Sequence, residues 1–163
     1  MSGSLHAWYS LRELESLAAR EVALTGDLDL GKLTRLKGLL HSDAGSVRAS
    51  LRFRQRRDGW VGVELTYQAA VHLVCQRCLE PFRDELTDRV DIVLADAASV
   101  PSAVPEGFEP FELEGGRLLP AQLIEDELIV AIPLVAKHAR IEDCGGLART
   151  LAKLSDRSES VDR

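Results

Sequence analysis

Cysteines at positions 75 and 78 sit between two runs of alternating apolar and polar residues, and nothing else in the chain restricts its fold as much. Before the pair, Val61, Val63, Leu65, Tyr67, Val71 and Leu73 fall on alternate positions. After it, Phe82, Leu86, Val90, Ile92 and Leu94 do the same. A period of two belongs to strands with one buried face. The stretch Cys75-Gln-Arg-Cys-Leu-Glu-Pro-Phe82 is therefore expected to be a turn joining two strands. Such a turn can direct both thiolates at one metal ion, as in a zinc knuckle. It can equally tuck two small, weakly polar side chains against a core.

Neighbouring segments extend this pair into a meander. Residues 47–57 place Val47, Ala49, Leu51 and Phe53 on one side and Arg48, Arg52, Arg54 and Arg56 on the other. Asp58-Gly59 is a two-residue turn signal of the primed type, so residues 47–57 should pair antiparallel with residues 60–74. Residues 22–30 read as a further strand interrupted by Gly26. Helical spacing appears at Trp8, Leu11, Leu14, Leu17 and Ala18, with Ser10 and Glu13 set for a capping box. A second helical stripe runs through Leu33, Leu36, Leu39 and Leu40.

Residues 96–110 carry Pro101, Pro105 and Pro110 and read as a surface loop, anchored at its end by Phe108 and Phe111. Residues 119–132 form the clearest helix, with Leu119, Leu123, Ile124, Leu128, Ala131 and Ile132 on its apolar face and Pro133 as its stop. Glu125, Asp126 and Glu127 take the rest of its circumference. A short stripe at Leu147, Leu151 and Leu154 precedes a polar tail, residues 155–163, expected to be disordered. The expectation is an α+β fold: an antiparallel β-meander over residues 47–94, packed against a C-terminal amphipathic helix and N-terminal helices. Residues 1–154 suit a single domain.

Three groups of residues carry chemistry. Cys75 and Cys78 have the spacing of half a zinc site, and His138 with Cys144 can supply the other half, giving four N/S ligands. The alternative is a pair of core-facing thiols and a hydrogen-bonded histidine. The arginine row Arg48, Arg52, Arg54 and Arg56, with Trp60 and Arg77, suits an RNA backbone and its bases. The alternative there is a solvated sheet face neutralised by the chain's own acids. Glu125, Asp126 and Glu127 suit a basic partner; as adjacent helical residues they diverge by about 100° and make a poor metal site alone.

Charge reinforces this division. The net charge is −6. Yet residues 32–57 hold eight basic residues and a single acid, whereas residues 80–130 hold thirteen acids and three bases. The acidic half suits a basic protein partner. No run of about 18 apolar residues is present, so no membrane span is expected. The first residues lack a secretory pattern, and three cysteines, two of them too close for an unstrained bridge, suit a reducing compartment. A cytoplasmic chain is expected.

Signatures of catalysis are missing: there is no P-loop, G-x-G-x-x-G, G-x-S-x-G or H-E-x-x-H. Cys75 with His72 or His138 imitates a thiol protease without an orienting group. No enzymatic activity and no small-molecule substrate are expected.

The chain resembles the bacterial YceD family. The resemblance lies in Cys75-Gln-Arg-Cys-Leu-Glu-Pro-Phe82, in Ile124-Glu-Asp-Glu-Leu-Ile-Val-Ala-Ile-Pro-Leu-Val-Ala-Lys-His138 and in Cys144, which anchor residues 45–145. Ala136 stands where the family usually has proline. The resemblance implies a non-enzymatic role in accumulation of large-subunit ribosomal RNA. Its expected partners are precursor large-subunit rRNA and a basic large-subunit ribosomal protein. A chaperone of that protein without RNA contact is the first alternative, and an rRNA-maturing nuclease the second.

Overall fold

The computed structural model describes residues 4–96, 104–146, 149–150 and 153–154. Its centre is a five-stranded sheet in the order β2-β3-β4-β5-β6, formed by β2 (Ala23–Asp29), β3 (Ser46–Gln55), β4 (Val61–Val74), β5 (Pro81–Asp96) and β6 (Glu109–Leu113). The first four strands form an antiparallel meander in register, for example Leu24↔Leu51, Leu51↔Leu65 and Leu65↔Val90. The fold is α+β, as the alternation predicts.

One sheet face carries the core. Leu24 and Leu28 of β2, Val47, Leu51 and Phe53 of β3, and Val63, Leu65 and Leu73 of β4 are buried together. Helix α1 (Leu11–Ala19) covers β3 with Leu14 and Ala18; helix α3 (Pro120–Ala131) adds Leu123, Ile124 and Leu128. Burying side chains of this size contributes roughly 1.5–3 kcal/mol each, which fixes the register because a one-residue slip would expose the whole set.

Local chemistry sets the ends. Ser10 caps α1: its hydroxyl accepts the Glu13 amide at 3.4 Å, and the Glu13 carboxylate accepts the Ser10 amide at 2.7 Å. Pro120 opens α3 where a missing amide costs nothing, and the helix stops before Pro133.

Several elements differ from expectation. The stripe from Leu33 to Leu40 gives only one turn of helix, α2 (Thr34–Lys37). The β3–β4 hairpin closes between Arg56 and Trp60, whose amide and carbonyl meet at 3.0 Å, so its loop has three residues rather than two. Only Gly59 has positive φ, at 86°, and the Asp58 carboxylate holds the Trp60 amide at 3.1 Å. Residues 109–113, read partly as loop, form β6, which pairs parallel to β5 from Ile92↔Glu109 to Asp96↔Leu113. Pro110 is tolerated because this is an edge strand.

Two very short strands, β1 (Tyr9–Ser10) and β7 (Arg117–Leu118), form a separate ribbon. Gly115 and Gly116, both at positive φ, turn the chain into β7. Residues 149–150 and 153–154 are helical. Leu147, Leu151, Pro101 and the tail 155–163 lie outside the described residues.

Candidate metal centre and charged surfaces

The β4–β5 connection is a knuckle. The Cys75 amide donates to the Glu80 carbonyl at 2.9 Å, and the Leu79 amide donates to the Cys75 carbonyl at 2.8 Å. Turning this tightly puts Leu79 at φ 63°, a left-handed conformation that costs a bulky residue about 1–2 kcal/mol. The segment after α3 then docks on the knuckle, the Gln76 amide donating to the Ala136 carbonyl at 2.8 Å. His138 follows two residues on, with its ring 5.0 Å from that of Phe82. A single 3-10 turn, residues 141–143, delivers Cys144.

Four residues separated in sequence thereby converge. Cys78 Sγ and Cys144 Sγ each lie 3.5 Å from His138 Nδ1, and Cys75 Sγ lies 3.9 Å from Cys144 Sγ. All four donor atoms fall within 4.8 Å of one another. A tetrahedral zinc with bonds of about 2.3 Å to sulfur and 2.0–2.1 Å to nitrogen sets S···S near 3.8 Å and S···N near 3.5 Å. The donor set fits that ion in type, number and separation.

The thiols also have the electrostatics of a cation site. Burial pushes the Cys75 thiol up. The backbone amides of His138, Cys78 and Arg77, with the His138 ring, outweigh that and bring it down to about 5. Cys144 moves the other way, to about 11, through burial and then the neighbouring Cys78 and Cys75 sulfurs. A divalent cation entering the cluster would relieve that repulsion as the thiols ionise. Cys75 and Cys144 are fully buried, and the three cysteines are not disulfide-bonded. His72, on β4 near Cys75, is not in the cluster; its backbone forms an isolated bridge with Ser42, in the segment before β3.

The knuckle's outer surface is apolar and cationic. Leu79 is 76% exposed on the turn itself, and Leu134, 97% exposed, is brought to the turn by its carbonyl, which accepts from Gln76 Nε2 at 3.3 Å; Val135 follows it, also exposed. Arg77 is exposed beside them, its guanidinium 3.9 Å from the Cys144 sulfur. Exposed apolar groups gathered in one place mark contact surfaces more often than single ones do.

The arginine row meets a different fate. Arg48, Arg52 and Arg54 project from the uncovered face of the sheet, as alternation requires. Arg48 pairs with Asp27 at 3.0 Å, while Arg54 and the β5 residue Arg89 share Glu64 at 3.6 and 2.6 Å. Arg52 makes no ion pair among the described residues. Arg56 does not join the row: it folds back onto Asp58 at 2.8 Å and stacks on Phe108, 4.1 Å from the ring centre. Trp60 is half-buried beside it. A shallow concavity of about 610 Å³ on this face is lined by Thr25, Arg48, Ser50, Thr66, Gln68 and Arg89.

The α3 carboxylates divide as well. Glu125 is buried, contrary to its expected place on the exposed face. Its oxygens accept the Arg35 amide at 2.7 Å, the Leu36 amide at 3.1 Å and the Arg35 guanidinium at 3.1 Å. It therefore caps α2 from a distance, and the short stripe at residues 33–40 is held by this carboxylate as well as by its leucines. Asp126 pairs with the same arginine at 2.5 Å. Glu127 is half-buried, and its carboxyl is pushed up to about 7 by burial first and then by Glu109, Asp126 and Asp88.

Sequence reasoning missed two features. Nothing in the local pattern pairs Glu125 with residue 35, ninety positions earlier. The gathering of Asp88 and Glu109 near Glu127 depends on the parallel placement of β6, for which the proline-bearing segment gave no period-two signal.

Residues 63–162 match the family model described as large ribosomal RNA subunit accumulation protein YceD. A curated relative with the same description, from Haemophilus influenzae, is 30% identical over 125 residues, covering 75% of this chain and 71% of the relative. No solved structure matches the chain. No described helix is long and apolar enough to cross a membrane. With the knuckle, the His138–Cys144 segment and most of the sheet inside the matched region, the chain belongs to the YceD family of large ribosomal RNA subunit accumulation proteins.

Proposed function

We propose that the protein is a non-enzymatic, cytoplasmic factor in ribosome biogenesis that binds precursor large-subunit rRNA and so supports its accumulation. The observation that carries this reading is the knuckle: a four-donor cluster with metal-site separations, crowned by exposed Leu79, Leu134 and Arg77. Zinc bound there by Cys75, Cys78, His138 and Cys144 supplies a closed structural crosslink with no open coordination position. The crest offers apolar surface to unstacked bases and a cation to phosphate.

The open sheet face assists. Arg52 is free of ion pairs among the described residues, and Arg48 is 76% exposed in its side chain. Exposed ion pairs contribute about 0–1 kcal/mol, so phosphates can displace Asp27 from Arg48 at small cost. Arg56, only 20% exposed and stacked on Phe108, is outside the proposed RNA surface.

Cells lacking the protein should lose large-subunit rRNA relative to small-subunit rRNA. The wild-type chain should restore the ratio and a Cys144→Ser chain should not. Normal ratios in the deletion strain would reject the reading. A second reading, custody of a basic ribosomal protein, is favoured by one observation: the acids of β5, β6 and α3 gather on the opposite flank of the sheet from the arginines of β3.

A further inference from the structure

β5 is the longest strand, yet its outer edge is covered for only part of its length. β6 pairs with it from Ile92 to Asp96, so among the described residues 81–91 have β4 on one side and no strand on the other. Two amides on this stretch find local acceptors instead: Glu85 donates to Asp84 Oδ1 at 3.0 Å and Arg89 to Asp88 Oδ1 at 2.7 Å. Alternate backbone groups face the same edge, so the Thr87 and Asp91 amides lie on it too. Edges of this length are normally blunted by charge, covered or used.

The cations of this stretch are engaged, Arg83 with Glu85 and Arg89 with Glu64, and the carboxylates left unpaired beside it have one sign. Asp88, opposite the buried Tyr67, projects on the core side of the sheet, and both it and Glu109 of β6 act on the Glu127 carboxyl of α3. No cation is paired with any of them among the described residues, although eight ion pairs are formed elsewhere. Tyr67 of β4, directly opposite Asp88, is only 4% exposed, and its hydroxyl has no hydrogen-bond partner among the described residues. Burial first, and then the charges of Asp88, Glu127 and Glu109, act against its ionisation. Unpaired carboxylates and open backbone groups thus share one place, beside the ring of Tyr67.

We infer that the β5 edge, residues 81–91, is a docking site for an extended, lysine- and arginine-rich segment of a protein partner, which adds to the sheet as a further strand. Backbone pairing supplies the affinity and the Asp88, Glu109 and Glu127 carboxylates select the charge. A nucleic acid is excluded by the sign of that charge. The inference rests on the second reading above and identifies where the basic partner sits.

A synthetic twelve-residue peptide alternating lysine with valine or threonine tests it on the full chain. Fluorescence anisotropy should detect binding that weakens with salt, and hydrogen exchange should show new protection at the Thr87 and Asp91 amides. The Asp88→Lys/Glu109→Lys chain should bind at least tenfold more weakly. So should a peptide N-methylated on its pairing edge, a control that does not depend on a variant folding. Equal binding by the N-methylated peptide, affinity within twofold in the charge-reversed chain, or no binding at all would overturn the inference. In cells the two readings separate. Charge reversal that depletes large-subunit rRNA while peptide binding persists counts against this edge. Peptide binding lost on charge reversal with rRNA intact supports the edge and removes only its role in rRNA accumulation.

Discussion

The knuckle and the arginine-bearing sheet face are both rich in polar groups that the sequence makes conspicuous, and the fold treats them oppositely. At the knuckle, three sulfurs and an imidazole are driven together, and the thiols there are shifted apart, Cys75 down by backbone amides and the imidazole and Cys144 up by burial and its sulfur neighbours. On the sheet face, Arg48 and Arg54 already lie against Asp27 and Glu64, which the antiparallel register places nearby. A run of like charge in sequence therefore measures little by itself. What matters is whether cross-strand neighbours answer it, and cross-strand neighbours are chosen by register rather than by sequence proximity.

Removing metal from the knuckle is expected to have the largest effect and can break the comparison outright. Elemental analysis of native protein should find about one zinc per chain. Cys144→Ser should abolish it and lower stability by about 3 kcal/mol, or roughly 6–12 °C in Tm for a chain of this length. A chelator should lower the Tm of the wild-type chain and leave the variant unmoved. Equal chelator responses in both would place the knuckle in the same class as the sheet face, a set of polar groups needing nothing further.

Next comes Glu125→Ala, expected to cost about 2–3 kcal/mol. It strands two amides and removes one of two carboxylates from a half-exposed guanidinium, a loss smaller than for a fully buried pair. Denaturant unfolding measures it, and Asp126→Ala, on the exposed side of the same arginine, should cost under about 1 kcal/mol. Similar costs for the two would remove the distinction between a structural and a surface carboxylate.

The salt dependence of rRNA binding sharpens the contrast between paired and unpaired arginines. Arg77→Ala and Arg52→Ala should each reduce the slope of log affinity against log salt by about one, and Arg56→Ala by close to zero. Glu64→Gln, which releases Arg54 and Arg89, should strengthen binding. A slope unaffected by Arg77→Ala and Arg52→Ala would dismiss the sheet and knuckle as RNA surfaces.

The smallest expected effect is a pH dependence. The Glu127 carboxyl has its folded value raised to about 7, so the folded chain holds that proton more tightly than the unfolded one. Its contribution is fully present below the unfolded value of about 4.3 and is lost as pH rises through 7. Solvent screening reduces it to about 1 kcal/mol. Glu127→Gln should be more stable than wild type at pH 8 and equal to it at pH 5. No difference between the two at pH 8 would refute the raised folded value of that half-buried carboxyl.

Much of this was legible in the chain. Strict alternation at residues 47–53 and 61–73 fixed which side chains face the core, because a strand offers only two faces. The cysteine–histidine cluster was legible for a different reason: cysteine and histidine are scarce enough that four of them in two groups invite pairing. Position 125 was not legible, since a carboxylate among carboxylates on an amphipathic helix looks exposed until α2 is set against it. Nor was β6, where parallel pairing across a proline-bearing connection leaves no periodic trace in five residues. The two-residue hairpin at Asp58-Gly59 proved a residue longer because Asp58 adopts an ordinary negative φ and uses its side chain to hold Trp60.

The span between Cys75 and Cys144 is 69 positions. A metal held at those two points would encircle β5, β6, β7 and α3, nearly half the molecule. Tethering a loop of that size removes about 4 kcal/mol of freedom from the unstructured chain. Such a clamp could not form until the far end had been made and had returned to the first turn. Nascent chains would then remain loosely tied at this end until last, and with zinc in the proposed site metal supply would govern how fast they mature as well as how long they endure.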